Sequence, residues 1–384
     1  MKESLARRDF NIAGPCMAGE HYMLEPLRSV GHDLLNCINA KKYFIVHAPL
    51  QSGVTTLLQN FVEKLNAAGN FYAFYCSLEV LDAFDEPEKS IPAIINTVKY
   101  AIESYKLPGG FAENADFGDF ANALKRSLAA YCKTLGKPLV IFFDDIGCLP
   151  ARTLTVFLRQ LRSGYISRDK SPFVHSIALA GLQNPRGYTD RVHSAGELYG
   201  GASPFNIFGE TVSLKNFIKT EIASLYSQHT VDTGQVFLPQ LVDYVFEQTQ
   251  GHPWLVNAIA RECVEKIARK NYSVPITPIY AEQAIQNITV DRRTHIGCVM
   301  GKLREARVRK IIEPLILGAD IERGSDDYLY AKDLGLIKEA GGKTEAANPI
   351  YAELIIRALS GSFNLQPAGQ AQVNRMKGQR PGLS

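Results

Sequence analysis

The sequence predicts an α/β protein with a parallel sheet covered by helices on both faces, followed by a helical block and a winged-helix-like block. Three observations predict this order. Strand-like segments alternate with helical patterns as far as residue 214. Those strand-like segments are apolar throughout, as in parallel sheets buried on both faces. From residue 215 only helical patterns follow, until Gly341 and Gly342 mark a hairpin.

The first strand is predicted at residues 43–49, which form an apolar run. A helix is predicted at residues 55–68, where apolar side chains from Leu57 to Leu65 fall on one stripe, and Gly69 ends it. Further strands are predicted at 71–79, 138–147, 175–183 and 205–214, and further helices at 92–105, 117–135 and 151–164.

Changes in pattern along the chain predict the domain organisation. The tail lacks acidic residues and is rich in Gly, Gln, Pro and Asn, which predicts disorder. The predicted parts are an N-terminal segment (1–40), an α/β domain (41–214), a helical lid (215–290), a winged-helix-like domain (291–360) and a disordered basic tail (361–384).

Composition excludes several classes of protein. The 384 residues carry a net charge of only +3, so the chain as a whole has no strong attraction for nucleic acid. No segment approaches the roughly 18 uninterrupted apolar residues of a membrane-spanning helix, and the N-terminus lacks the apolar core of a signal peptide. Seven scattered cysteines form no CxxC pair, which argues against a zinc site and is typical of a reducing compartment. The sequence predicts a cytoplasmic protein without membrane contact.

The segment "APLQSGVT" after the first strand carries the strongest site pattern. It aligns with the phosphate-binding loop G-x-x-x-x-G-K-[ST], which lies between a strand and a helix. A glycine lets successive N–H groups converge on an anion, the following helix offers its positive end, and a threonine hydroxyl suits magnesium. The candidate nucleotide-binding residues are Ala48, Pro49, Gln51, Ser52, Gly53, Val54, Thr55 and Thr56.

Two positions of this loop depart from the pattern. Ala48 replaces the first glycine, and Val54 replaces the lysine that contacts the β- and γ-phosphates. Loss of one charge-assisted contact costs about 1.5–3 kcal/mol, or roughly 10- to 100-fold in affinity. On this motif alone, a strand–turn–helix with a convenient glycine remains the alternative.

A second element strengthens the nucleotide interpretation. The strand in "PLVIFFDDIG" ends at Asp144, at the carboxyl edge of a parallel sheet, where ligands bind. An aspartate there holds magnesium opposite the loop hydroxyl, so Thr55 and Asp144 are the candidate metal ligands. Asp145 stands where many relatives have a glutamate that orients water, and it is one methylene shorter. Two solvated carboxylates at a strand end are the alternative.

Together these segments resemble the AAA-like P-loop ATPases related to the STAND and origin-recognition groups. The resemblance covers nearly all of residues 8–360 and is carried by several segments in order, including "FIVHAPLQSGVTT", "IFFDDIGCL", "TQGHPWLVNAIARE" and "ANPIYAELI". In the family's "HAPRQSGKTT" loop the alanine is usual. Leu50 and Val54 each remove a positive charge, and Asp145 replaces a glutamate.

The resemblance implies a P-loop NTPase of the AAA+/ASCE type whose ligand is ATP or ADP with Mg²⁺, held beneath a lid. In that family the lid proline packs near the nucleotide, and this role falls to Pro253. The family's members are nucleotide-driven switches. Val54 and Asp145 predict weak binding and impaired hydrolysis. The alternative is an active ATPase in which Arg186 or Arg162 replaces the lysine, so the candidate catalytic residues are Asp145, Arg186 and Arg162.

Charge distribution bears on the partner. Residues 291–310 carry seven Lys or Arg against two acidic residues, so a nucleic-acid-binding adaptor is an alternative. The segment "DDYLYAKDL", at the place of a recognition helix, carries three aspartates and one lysine, which suits a major groove poorly. The sequence therefore favours a protein partner, bound through the winged-helix or lid domain.

Overall fold

The computed structural model describes residues 8–83, 86–111, 119–181, 204–291 and 295–360. The described residues form two compact units. The α/β unit comprises Glu25–Ala48 and Val54–Lys215, and the helical unit comprises Met1–Leu24, Pro49–Gly53 and Asn216–Ser384, each within the described ranges. The four boundaries between the predicted parts stay predictions. In these ranges we find no helix with the length and apolar character needed to cross a membrane.

The α/β unit is built on a five-stranded sheet in which every pairing is parallel. Its strand order is β2-β3-β4-β1-β5, which confirms the predicted parallel sheet and places the carboxyl ends of all strands at one edge. The strands are β1 Tyr43–His47, β2 Tyr72–Ser77, β3 Leu139–Asp144, β4 Ser176–Leu179 and β5 Phe208–Ser213.

Helices cover both faces of this sheet. Alternation along β1 shows why: Tyr43 and Ile45 belong to one buried apolar cluster, and Phe44 and Val46 belong to another. The first cluster includes side chains of α3, α4 and α5, and the second includes those of α1 and α2. The helices are α1 Gly31–Asn39, α2 Val54–Ala68, α3 Pro87–Ser104, α4 Phe120–Thr134 and α5 Ala151–Ile166.

Two element boundaries differ from the sequence prediction because of prolines. β1 ends at His47, two residues early, since Pro49 has no N–H to donate to a neighbouring strand. α3 begins at Pro87 and not at Pro92, because a proline in the first turn lacks only an N–H that would have no partner there. Pro92 lies inside the helix.

The helical unit has a buried apolar core of its own. Near its end, β6 and β7 pair antiparallel, and Gly341 and Gly342 both have positive φ, which confirms the predicted hairpin turn. The assignment of this part as a winged helix stays a prediction. The elements are α6 Lys219–Thr233, α7 Pro239–Thr249, α8 Pro253–Arg261, a π-helical segment Glu262–Ile267, α9 Pro278–Asp291, α10 His295–Lys302, α11 Ala306–Leu317, α12 Asp326–Asp333, β6 Ile337–Ala340, β7 Lys343–Ala346 and α13 Pro349–Ser360.

Candidate functional site

The loop between β1 and α2 has an unusual backbone conformation. Gln51 has φ 53° and Gly53 has φ 90°, and Ser52 between them is not in the left-handed region. Such alternation turns successive N–H groups toward one side and creates a concave site for an anion. A left-handed conformation costs a residue such as glutamine on the order of 1–3 kcal/mol, and it persists only where the surroundings impose it. The loop therefore has the geometry that phosphate binding requires.

The hydrogen bonding of the loop fits the same ligand. The Ser52 N–H donates to the Pro49 carbonyl at 3.3 Å. Within the described ranges, the N–H groups of Gln51, Gly53, Val54 and Thr55 donate to no backbone carbonyl. The Ser52 hydroxyl oxygen is buried and has no hydrogen-bond partner in the same ranges. A buried hydroxyl without a partner is rare in proteins, and a phosphate oxygen could pair with it and with the N–H groups of the exposed loop.

The predicted metal ligands lie together in the α/β unit. The Thr55 hydroxyl donates to Asp144 Oδ2 at 2.9 Å, and the Tyr75 hydroxyl donates to the same oxygen at 3.1 Å. The Asp145 N–H donates to Asp144 Oδ1 at 2.9 Å. A hydroxyl that gives its proton to a carboxylate keeps its oxygen lone pairs, so Thr55 can still bind a hard cation such as Mg²⁺.

Asp144 occupies an environment that a cation would improve. Only 3% of the residue is exposed, and this burial raises the pKa of its carboxyl group. The nearby Asp145 carboxylate raises the pKa further, whereas the hydrogen bonds from Asp145 N–H, Thr55 and Tyr75 lower it. A bound divalent cation would favour the ionised form, as metal sites do generally.

Asp145 is held by its neighbours in a restricted conformation. Its φ is 58°, and the Ser77 hydroxyl donates to its Oδ2 at 2.6 Å. Gly181, which follows β4, approaches so closely that an added Cβ would lie 2.7 Å from both the nitrogen and Cα of Asp145. Ser77 at the end of β2 thus holds the Asp145 carboxylate, and Gly181 confines the Asp145 backbone.

Three other predicted nucleotide-binding residues flank the loop in sequence, and the fourth, Pro253, belongs to the helical unit. Val54 begins α2, and its half-buried side chain packs against an apolar cluster of the α/β unit. Thr56 is half-buried in the first turn of α2. Ala48 follows β1 and is half-buried, and Pro253 is the buried first residue of α8.

Of the two predicted substitute cations, Arg162 lies in the described structure, and it is not brought to Asp144. Arg162 Nε donates to Asn206 Oδ1 at 2.9 Å, and Arg162 lines a cleft of about 530 Å³ with Lys125 and Arg159. One turn further along α5, the Tyr165 ring lies 4.8 Å from that of Tyr43, at the start of β1. Since all strands are parallel, this end of α5 faces the sheet edge opposite Asp144. Arg186 lies outside the described residues.

Sequence reasoning missed four residues around the site: Tyr75, Ser77, Gly181 and His252. Tyr75 and Ser77 lie on β2, which pairs with β3 so that Ser77 is opposite Asp144. Strand adjacency is not encoded locally, so no sequence pattern connected Tyr75 and Ser77 with Asp144. For Ser77 the available signal was a hydroxyl at the end of a strand. For Gly181 there was no signal, because its close approach to Asp145 exists only in the folded chain.

Comparison with known proteins identifies the fold. No protein-family model matches the sequence, and no curated protein is similar to it. The structure is similar to the Walker-type ATPase PABY2304 of Pyrococcus abyssi, with a TM-score of 0.62 and 15% identity over 90% of this chain and 99% of that one. It is also similar to the ORC2 protein of Aeropyrum pernix, solved in ADPNP–ADP complexes, with a TM-score of 0.55 and 14% identity over 96% and 99%. The chain thus has the fold of the AAA+-like P-loop ATPases.

Proposed function

We propose that this protein is a nucleotide-binding switch that binds ATP or ADP with Mg²⁺, hydrolyses it poorly and acts through a protein partner. One observation carries the proposal. Gln51 and Gly53 of the loop are left-handed, and the N–H groups of Gln51, Gly53, Val54 and Thr55 donate to no backbone carbonyl of the described chain. The fold of Walker-type ATPases, with the loop after β1 and an aspartate at the end of β3, supports it.

Different residues would bind the phosphates and the magnesium ion. The N–H groups of Gln51, Gly53, Val54 and Thr55 would donate to phosphate oxygens, and the start of α2 adds its positive dipole end. Thr55 and Asp144 would hold Mg²⁺, which offsets phosphate charge when bound. Val54 stands where the STAND-like loop has a lysine, so it supplies no cation to this site.

Two features support weak binding and impaired hydrolysis. Val54 packs against apolar side chains, so the charge-assisted contact of the usual lysine is absent, and affinity should be about 10- to 100-fold lower. Asp145 accepts a 2.6 Å hydrogen bond from Ser77, which holds the carboxylate that would otherwise orient water.

The first experiment measures binding by thermal shift and by calorimetry with Mg–ATP, Mg–ADP and no ligand. Ligand at 100 times its dissociation constant should add about 2.7 kcal/mol to the free energy of unfolding. The variant Thr55→Ala should bind Mg–ADP more weakly, whereas Thr97→Ala in α3, whose hydroxyl donates only to the Ala93 carbonyl, should bind normally. Absence of binding at millimolar nucleotide would refute the proposal.

A turnover assay with radiolabelled ATP tests the impaired hydrolysis. We expect no turnover above background. Turnover that Asp144→Ala abolishes would show a working ATPase instead, and loss of that turnover in Arg186→Ala would identify the substitute cation.

The partner is proposed to be a protein because four of the five basic side chains described in the segment 291–310 are paired with carboxylates. Arg307 and Lys310 on α11 contact Asp327 of α12 at 3.4 and 3.2 Å. Lys302 contacts Glu305 at 2.7 Å, and Arg309 contacts Glu313. A nucleic-acid backbone would have to displace these pairs. Fluorescence anisotropy with a DNA duplex at low ionic strength should show no salt-dependent binding, and such binding would favour the nucleic-acid adaptor.

A further inference from the structure

We propose that the helical unit itself sets the phosphate affinity of the loop, by holding Leu50 and Pro49 through His252, Leu334 and Gly335. The segment Pro49–Gly53 packs with the helical unit, although β1 and α2 on either side belong to the α/β unit. The inference rests on the proposed function for its affinity measurement. The holding contacts themselves are independent of any ligand.

The first contact is made by the backbone of Leu50, the residue before the left-handed Gln51. Its carbonyl lies 3.0 Å from His252 Nε2, and its N–H makes a longer contact of 3.5 Å to the Leu334 carbonyl. Its side chain packs against the apolar core of the helical unit. Both peptide groups of Leu50 are therefore engaged by residues far along the chain. The packing of its side chain in the same core explains why the residue is apolar.

His252 is suited to this role because it is a fixed, neutral donor. It is 3% exposed, and burial lowers the pKa of its ring to about 4, so it carries one ring proton near neutral pH. A carbonyl only accepts, so that proton is on Nε2 and points to Leu50. The His295 ring lies 4.9 Å from that of His252, and Tyr351 lies 5.9 Å away, so the donor has little freedom to turn.

The second contact is steric. Gly335 has φ 73°, and a Cβ added there would lie 2.5 Å from Cβ of Pro49. Pro49 is rigid in φ, so the loop cannot yield easily at this point. A glycine at 335 thus allows the loop to lie where His252 can reach Leu50.

These contacts explain how a strained residue persists. The left-handed Gln51 follows a residue whose backbone is fixed on both sides, and such conformations survive only where the surroundings impose them. Phosphate binding and the loop contacts then reinforce each other, because coupling between two equilibria is reciprocal. A partner that shifts α8 or the α12–β6 connection would change nucleotide affinity without touching the nucleotide.

Paired glycine variants test this idea. Gly335→Ala adds a methyl group against Pro49, whereas Gly341→Ala adds one at another positive φ, where nothing lies within 4 Å. Both carry the strain of a left-handed alanine, so their difference isolates the contact with the loop. We expect calorimetry with Mg–ADP to show about a 10-fold loss of affinity for Gly335→Ala and less than about 2-fold for Gly341→Ala.

Histidine variants test the hydrogen bond in the same assay. His252→Phe keeps a ring of similar size but removes the donor, and we expect about a 5- to 10-fold loss. His252→Gln keeps a donor and should recover part of it. His229→Phe removes another buried histidine of the helical unit, one that lies 2.9 Å from Gln235 Oε1, and it should bind normally. Trp254, the only tryptophan of the chain, lies 4.8 Å from the His295 ring, so its fluorescence can monitor whether this buried cluster stays intact in the variants.

A measurement without ligand separates this inference from the proposed function. Hydrogen exchange of peptides covering residues 48–55 should be faster in Gly335→Ala and His252→Phe than in Gly341→Ala and His229→Phe. Equal exchange in all four would overturn the inference. Faster exchange together with no Mg–ADP binding by the wild-type protein would refute the proposed function and leave the loop contacts established.

Discussion

Gly181 illustrates how a single position determines the geometry of the β3 carboxyl end. It has φ 73°, and its backbone lies against Asp145, which is itself left-handed. Glycine adopts this conformation at little cost, whereas a left-handed aspartate persists only where its surroundings impose it, and the Gly181 backbone is part of those surroundings. Glycine is required at 181 for space as well as for φ.

We predict that Gly181→Ala lowers the free energy of unfolding more than Gly234→Ala does. Both positions have positive φ, but an added Cβ meets the Asp145 backbone only at 181 and has open space at 234. The clash should add about 1–3 kcal/mol, as overpacking generally does. Urea unfolding measures both values. Equal losses would show that β4 and β3 can separate without cost.

At the scale of elements, the start of α2 combines a retained anion site with an apolar first residue. Val54 packs with the cluster that includes Leu57 and Phe61, so this turn of helix contributes to the core of the α/β unit. The backbone donors and the helix dipole do not depend on the side chain at 54, and they persist without the lysine.

We therefore predict that Val54→Lys strengthens Mg–ATP binding by about 10- to 100-fold, because it supplies the missing charge-assisted contact. Val54→Ala is the control, since it removes the apolar contact and adds no charge. Calorimetry on both variants gives the comparison. If lysine gives no gain over alanine, phosphates do not reach the first turn of α2.

The elements themselves were largely predictable from sequence. All five strands and the hairpin occur where the apolar runs and Gly341–Gly342 pair predicted them, because burial on both faces leaves a local signature. Their ends were less predictable. The effects of Pro49 and Pro92 depend on whether the N–H that each proline lacks would have had a partner. That is decided by the neighbouring elements.

At the scale of the whole molecule, buried histidines link stability to pH. Burial lowers the pKa of His252 to about 4 and that of His295 well below its ordinary value. An unfolded histidine titrates near pH 6.5, so between that value and the folded pKa the unfolded chain binds more protons. Stability is therefore lost as pH falls through this window and is retained above it.

We predict that the free energy of unfolding falls by about 1.4 kcal/mol per pH unit from His252 alone between about pH 6.5 and 4. His252→Phe should reduce this slope. Chemical denaturation at a series of pH values measures it. An unchanged slope in His252→Phe would mean that His252 is protonated equally in both states.

The sequence by itself determined the α/β pattern, the loop and the two acidic positions, because strand and helix periodicity and the phosphate-loop spacing are local. It also identified Val54 and Asp145 as departures. Only the tertiary structure decided that Tyr75 and Thr55 share one oxygen of Asp144, that Ser77 holds Asp145, and that His252 reaches Leu50. These contacts join residues from 68 to 202 positions apart, and such pairing arises from strand order and core packing, which no local pattern specifies.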